Sequence, residues 1–192
     1  MRKSKEIIDS QEKSRSVRRT KMALQKSLIE LMKTQPVLRI TVKDICNAAD
    51  VGRSTFYAHY ESHYELLEQI ETECLSGFED LMKEPLCKYN DREFTQWFIK
   101  RLQFIAENSN SIQTLLSENG DIFFQRKFFQ SLVNQIKDTI KRNADNPVDD
   151  KISECQSVFF VHGTIALVQH WLKNNMRIPV SDFAKIFVPL IH

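Results

Sequence analysis

The residues with the clearest chemical potential lie in one short stretch of the chain, VGRSTFYAHY at 51–60. The stretch combines a guanidinium group, a serine, a threonine and a histidine with three aromatic rings, and it contains no acidic residue. Arginine can donate two hydrogen bonds to one guanine, and hydroxyl, phenol and imidazole groups can bond to phosphate oxygens. These residue types therefore indicate a surface that contacts a polyanion, with nucleic acid as the leading candidate.

Two short helices joined by a turn are needed to position these side chains. Thr41, with Asp44 three residues later, resembles a capping box and begins helix 2 at about 42–49. The next three residues form a turn in which Gly52 supplies conformational freedom. Helix 3 follows at about 53–60. Two helices arranged in this way form a helix-turn-helix, the motif whose second helix enters the major groove of DNA.

Helix 3 has an inward side and an outward side. Phe56 and Tyr60 are four residues apart, so they share a face and are expected to point into the core. The outward and flanking positions are then Arg53, Ser54, Thr55, Tyr57, Ala58 and His59. A plain surface helix also carries polar residues, but the turn, the cap signals and the local basic charge together favour DNA binding.

The charge of the chain is distributed unevenly. Residues 1–63 carry 13 Lys and Arg against 7 Asp and Glu, a net charge of +6, whereas residues 64–192 carry 14 against 18, a net charge of −4. A basic end on a mildly acidic remainder suggests that this end meets a polyanion, although a solvated charged tail would give the same count.

The N-terminal third of the sequence resembles a known family. The segments TKMALQKSLIELM and ITVKDICNAADVGRSTFYAHYESHYELL, within residues 18–67, are similar to the DNA-binding domain of TetR/AcrR family bacterial transcriptional regulators. The resemblance implies an all-α homodimer with about nine helices per protomer. It also implies an N-terminal domain that binds a palindromic operator and a C-terminal domain that dimerises and usually holds an effector.

The resemblance also assigns candidate DNA contacts. Family members often reach bases from the positions of Lys43 and Arg53. They usually contact phosphates or base edges from the positions of Thr41, Thr55, Tyr57 and His59. Where the family commonly has lysine, this chain has His63, which adds little charge attraction when neutral. The candidate DNA-binding residues are Thr41, Lys43, Arg53, Ser54, Thr55, Tyr57, His59 and His63.

Apolar periodicity and caps predict a helical chain with two domains. Residues 1–15 form a basic arm, 16–67 a three-helix DNA-binding domain, and 68–192 a helical regulatory and dimerisation domain. The predicted helices after helix 3 are helix 4 from a Ser62–Glu65 capping box to about 84, then 92–107, 111–117, 120–143, 149–174 and 181–191. Helix 1 is predicted at 17–34.

Twelve of the thirteen phenylalanines lie beyond residue 77. An aromatic-rich helical domain can enclose an apolar effector pocket, although ordinary core packing is the commoner explanation for any single phenylalanine. The candidate pocket residues are Trp97, Phe98, Phe128 and Phe159.

Helix 8 is apolar nearly all round over VFFVHGTIALVQHWL at 158–172. Such a helix must be covered on more than one side, and the core of one domain covers one side. The sequence therefore predicts a two-fold dimer built from helices 8 and 9. The candidate interface residues are Gly163, Ala166, Phe183, Ile186 and Phe187.

Other classes of function have little support. The chain shows no catalytic or nucleotide-binding motif, and neither histidine pair, 59 with 63 nor 162 with 170, has a third ligand at a suitable spacing. We therefore expect no enzyme activity, no metal and no cofactor. The widely spaced cysteines and the lack of a long apolar run favour a cytoplasmic protein without a membrane span.

Several alternatives remain open from the sequence. The chain could be a helical interaction module whose helix-turn-helix has lost DNA binding, or an activator working with a protein co-regulator. A redox role for Cys46 or Cys155 also remains open. The proposed partners are double-stranded DNA, a second copy of the chain, and an apolar small molecule or protein co-regulator.

Overall fold

The computed structural model describes residues 2–82, 91–144, 147–187 and 189, and within these ranges all regular secondary structure is helical. The prediction of an all-α fold is therefore confirmed. The helices are α1 Arg2–Met32, α2 Val42–Ala49, α3 Arg53–Tyr57, α4 His63–Met82, α5 Asp91–Glu107, α6 Ser109–Leu115, α7 Ile122–Asn143, α8 Asp150–Lys173 and α9 Val180–Lys185, with a 3-10 turn at Val37–Arg39. None of the helices in the described ranges is both long enough and apolar enough to cross a bilayer.

The contacts divide the chain into two compact units. The first unit comprises the residues up to Thr72 together with Ser117–Gly120, and the second comprises Glu73–Leu116 and the residues from Asp121 onward. The helix α4 begins in the first unit and ends in the second.

Helix α1 is much longer than predicted. It begins at Arg2, whereas the apolar pattern placed its start at Val17. No glycine or proline occurs before Pro36, so nothing in the sequence stops the helix from extending towards the N-terminus. Periodicity missed this extension because the polar residues before Val17 have no core face to mark them.

The first unit is built around a small apolar core contributed by four helices. Its fully buried side chains include Leu24 and Leu28 of α1, Ile45 of α2, Phe56 of α3 and Leu66 of α4. Because the 4-residue spacing in α1 repeats one helical face, this core fixes α1 against the two short helices that carry the candidate DNA contacts.

The second unit has an aromatic core. The ring centroids of Trp171 and Phe183 are 4.7 Å apart, and those of Phe98 and Phe187 are 4.4 Å apart. Phe183 and Phe187 are 3% and 0% exposed. The prediction that these two residues lie in a dimer interface is therefore wrong, because both side chains are already enclosed by their own protomer.

The C-terminal helix is also shorter than predicted. Helix α9 covers 6 residues and ends at Lys185, whereas the prediction extended to 191. The last residues of the predicted helix, and the predicted end of helix 4 near 84, lie outside the described residues. Ile186, at 41% exposed, is the one member of the predicted α9 interface set that stays accessible within the described part of the chain.

Candidate nucleic-acid interface

A capping box fixes the start of α2. The Asp44 backbone N–H donates to Thr41 Oγ1 at 3.2 Å, and the Thr41 backbone N–H donates to Asp44 Oδ2 at 3.0 Å. The Thr41 hydroxyl also donates to Asp44 Oδ2 at 2.6 Å, and this bond is the main reason why the pKa of Asp44 lies below its usual value. The charged carboxylate therefore holds the first turn of α2 together.

The turn between α2 and α3 uses a different residue from the one the sequence suggested. Asp50 adopts the left-handed conformation with φ 53°, and the Val51 N–H donates to Cys46 O at 3.0 Å. Gly52 has φ −65°, an angle open to any residue. Aspartate tolerates the left-handed region better than most residues, so it ends α2 without a glycine.

Two aromatic residues anchor α3. Phe56 and Tyr60 are 0% and 3% exposed, as predicted, and their ring centroids are 5.7 Å apart. The Tyr60 hydroxyl donates to Gln69 Oε1 at 2.8 Å, which links the end of the motif to α4. Lys21 Nζ lies 5.3 Å from the centre of the Tyr60 ring, within the range of a cation–π contact with α1.

With the aromatic anchors inside, the polar residues of α3 lie at the surface. Arg53, Ser54, Thr55 and Tyr57 are exposed, with Tyr57 at 58%. Of the remaining candidate DNA contacts, Thr41 and Lys43 are exposed and His59 and His63 are half-buried. This unit therefore combines cationic, hydroxyl and phenol groups on exposed positions of two adjacent helices.

His63 is the first residue of α4 and, unlike the exposed candidate residues, it is half-buried. Its Nε2 atom is buried and has no hydrogen-bond partner among the described residues. Burial lowers the pKa of His63, so the neutral form is favoured near pH 7. Beside it, Ser62 Oγ accepts from the Glu65 N–H at 3.3 Å, while the Glu65 carboxylate accepts from the Glu61 N–H at 2.5 Å.

The second unit encloses an apolar cavity of about 90 Å³. Three of the four residues predicted to line a pocket, Trp97, Phe98 and Phe128, do line this cavity. Phe159 does not line it, because its side chain is 81% exposed. Its neighbour Phe160 lines the cavity instead, since one residue along a helix turns the side chain by about 100°.

A buried cation in the cavity wall was not foreseen. Arg101 is 3% exposed, and its guanidinium carbon lies 3.4 Å from the centre of the Trp97 ring. Its Nη1 donates to Trp97 O at 2.6 Å, and its Nη2 donates to Leu81 O in the last turn of α4. The sequence signal was a charged residue four positions after Trp97 on an otherwise apolar helix face.

Helix α8 carries an exposed ridge opposite its buried face. Val161, Val168 and Trp171 point into the core. The ridge is formed by residues spaced by three or four, all of them exposed: Ile152, Cys155, Phe159, Gly163 and Ala166. A β-carbon added to Gly163 would meet no atom within 4 Å, so the backbone there is open to close approach.

The structure gives the positions of two cysteines considered for a redox role and of the residues that could bind a metal. Cys46 is buried, and this burial raises the pKa of its thiol, which lowers its reactivity. Cys155 is exposed on α8. Within the described ranges, no three residues of the types His, Cys, Asp and Glu are grouped so that they could hold a metal ion.

Two family models match the chain. The model described as "Bacterial regulatory proteins, tetR family" matches residues 26–70, which include α2, α3 and the start of α4. The model described as "Transcriptional regulator C-terminal region" matches residues 92–192, just over half of the chain. No curated protein sequence matches the chain.

Several solved structures share the fold. A TetR transcriptional regulator from Streptococcus agalactiae 2603V is 26% identical, with a TM-score of 0.62 and coverage of 95% of this chain and 99% of that one. NalD of Pseudomonas aeruginosa, the secondary repressor of the MexAB-OprM efflux pump, is 17% identical, with a TM-score of 0.66 and coverage of 94% and 96%. FadR from Bacillus subtilis, solved with stearoyl-CoA, is 15% identical, with a TM-score of 0.59 and coverage of 88% and 96%.

Proposed function

The chain belongs to the TetR family of bacterial transcriptional regulators, and from this premise we propose that it is a repressor that binds a palindromic operator as a homodimer under the control of an effector. Proteins of this family are DNA-binding transcription factors rather than enzymes. We assign residues 16–67 to the DNA-binding domain, 68–192 to the regulatory and dimerisation domain, and 1–15 to a basic N-terminal arm.

The observation that carries DNA binding is the contrast between the two sides of α3. Phe56 is completely buried, while Arg53, Ser54 and Thr55 are exposed. A short helix anchored by Phe56, with Tyr60 just beyond its end, offers its polar side chains to the major groove, where arginine reads guanine and threonine contacts a thymine methyl group. Tyr57 adds a phosphate contact that sets the position of the helix on the duplex, and Lys43 reaches a base from the first turn of α2.

The α8 ridge supports a dimer. Phe159 is 81% exposed and Ile152 is 55% exposed, and because they share one face of α8 with exposed Cys155 they form an apolar strip rather than isolated exposed residues. A two-fold axis through this ridge places Gly163 and Ala166 of both copies where their helices can approach closely. Such a dimer reads a palindrome when its two recognition helices lie about 34–36 Å apart.

The cavity supports control by an apolar effector. Its volume of about 90 Å³ is smaller than the roughly 150 Å³ of an engineered cavity that binds benzene. An effector of ordinary size therefore binds by widening the space between α5, α7 and α8, whose side chains line it. A ligand that binds the widened state more tightly shifts the protein towards that state. A protein co-regulator that binds one state of the second unit more tightly shifts the equilibrium in the same way.

Duplex DNA binding across salt concentrations tests the proposal. With six to ten phosphate contacts, affinity should fall by ~10³–10⁵-fold between 50 and 200 mM salt. A flat response would mean that the chain is a helical interaction module without DNA binding. The sign of regulation is read from a reporter fused to the bound promoter, since loss of a repressor raises transcription and loss of an activator lowers it.

A further inference from the structure

The segment from Lys13 to Lys26 carries an unusual concentration of positive charge. It contains six Lys or Arg residues and no Asp or Glu. Arg15, Arg18 and Arg19 fall at positions i, i+3 and i+4 of α1, so they share one helix face. We call this set the arginine face.

The arginine face is exposed and uncompensated. All three side chains are exposed, and none of them makes an ion pair or hydrogen bond within the part of the chain that the structure describes. Two other exposed lysines do have an acidic partner three residues away in the sequence: Lys33 pairs with Glu30 and Lys185 pairs with Asp182.

This arrangement works against the stability of the free helix. Like charges at i, i+3 and i, i+4 repel, and no carboxylate within the segment relieves the repulsion. A solvated helix face usually alternates basic and acidic residues, so each of three arginines would ordinarily have a carboxylate nearby. The repulsion is removed when a polyanion lies along the face.

Helix α1 contacts the end of the helix-turn-helix close to the arginine face. Lys21, on the same helix, lies over the ring of Tyr60 at the end of the motif that contains α3. At 1.5 Å per residue, the three arginines lie about 3 to 9 Å further along the axis of α1 towards its N-terminus. An extended arginine side chain reaches several ångströms outward from the helix axis, so its guanidinium group can contact a phosphate that the backbone does not approach.

We propose that Arg15, Arg18 and Arg19 bind phosphates of the duplex flanking each operator half-site. The inference rests on the proposed DNA binding and extends it, because these contacts lie outside the helix-turn-helix. They strengthen binding without reading base sequence, since guanidinium contacts to phosphate carry no sequence information. The occupied duplex is therefore longer than the palindrome that α3 reads.

The test measures how DNA affinity depends on salt. The probe is a duplex selected by the full-length wild-type protein from a random-sequence pool, with about one helical turn of 10 base pairs kept on each side. The arginine-face variant R15Q/R18Q/R19Q is compared with the control R126Q/K127Q/K173Q, which removes the same charge from exposed positions of the second unit. Circular dichroism confirms that both variants keep their helical content.

The expected result is a difference in slope. Each lost phosphate contact makes the plot of log affinity against log salt shallower by about 0.9, so the arginine-face variant loses about 2.7 per protomer while the control keeps the wild-type slope. R15K/R18K/R19K should restore the slope, because lysine keeps the charge. Trimming the flanks should weaken the wild-type protein more than the arginine-face variant.

The outcomes separate the two proposals. If the wild-type protein selects no duplex, the proposed function itself fails. If it binds with a steep salt dependence and the arginine-face variant shows the same slope, the inference is wrong and the proposed function stands. An equal loss of slope in the control variant would also overturn the inference, because net charge alone would explain the effect.

Discussion

In the proposed complex with DNA, Arg53 is the residue whose substitution tests whether α3 reads bases or only attracts phosphates. It is exposed at the first position of α3. Arg53→Ala should weaken binding to the selected duplex by about 1–3 kcal/mol, because a bidentate contact to guanine is lost, and should relax the base preference at that position. Fluorescence anisotropy on the selected duplex and on a scrambled one of equal length measures both effects.

The matched control for Arg53 is Arg39→Ala, since Arg39 is an exposed arginine of the same unit outside the helix-turn-helix. This variant should change affinity for the two duplexes equally and slightly. If Arg53→Ala lowers affinity equally on selected and scrambled DNA, then Arg53 contacts phosphate and another residue reads the bases.

His63 gives the protein a pH dependence of stability with a defined sign. Burial lowers the pKa of His63 in the folded state, while in the unfolded chain it stays near the usual value of about 6.5. As pH falls below about 6.5, the unfolded state therefore takes up the proton first and the free energy of unfolding decreases. Above about pH 6.5, His63 adds no pH dependence to the free energy of unfolding.

His63→Gln should reduce the loss of thermal stability between pH 7 and pH 5.5, because glutamine does not titrate. Melting temperatures at several pH values check this expectation. The exposed His170→Gln is the control and should leave the pH dependence as in the wild-type protein. An unchanged profile for His63→Gln would mean that other groups control acid sensitivity.

At the scale of helices, the cap of α2 supports the surface that would bind DNA. The Thr41 hydroxyl is already bonded to Asp44, so its first role is to begin α2. Thr41→Ala should lower the free energy of unfolding by about 1 kcal/mol, the usual cost of losing such a cap. Thr41→Ser keeps the hydroxyl and should retain most of the stability.

Urea unfolding of the two Thr41 variants provides the measurement. Equal destabilisation by alanine and serine would assign the effect to packing of the threonine methyl group. Any loss of DNA binding that exceeds the loss of folded protein in Thr41→Ala would support a direct contact between Thr41 and DNA.

The sequence predicted helices well where a side chain marks their start. Thr41 begins α2, and Asp149 begins α8 with a side chain that accepts from the N–H groups of Lys151 and Ile152. These starts were predicted within about a residue. The start of α1 was not, because its polar N-terminal half contains neither a cap nor a breaker that a local rule could detect.

The orientation of α8 could not be predicted from periodicity. Phe159 and Phe160 are adjacent, and a helix that is apolar on nearly all sides gives no polar face to identify the outward residue. Which of the two points inward is decided by the neighbouring helices. For the same reason, Phe183 and Phe187 were assigned to an interface although they complete the core of the second unit.

At the scale of the whole molecule, the proposed dimer predicts that a glutamate at two exposed phenylalanines has different effects on the oligomeric state. Phe159 on the α8 ridge is 81% exposed and Phe123 on α7 is 74% exposed. Phe159→Glu places a charge in the proposed interface and should shift the protein to monomers, with a loss of operator affinity. Phe123→Glu removes a similar apolar surface and should leave the dimer intact.

Light scattering after size-exclusion chromatography distinguishes these states. A dimer that survives Phe159→Glu would move the interface away from the α8 ridge. A wild-type protein that is monomeric at working concentrations would contradict the dimer, and with it the reading of a palindrome by two linked protomers.

The brevity of α3 has a consequence for how the protein meets its operator. The helix has 5 residues, Gly52 gives it no side-chain cap, and Phe56 is its one buried side chain. A helix of this length has few backbone hydrogen bonds of its own, so its conformation depends on the packing of Phe56 in the core. We expect changes that stiffen α3 in the free protein to tighten DNA binding, because they reduce the conformational entropy lost on binding rather than add a contact.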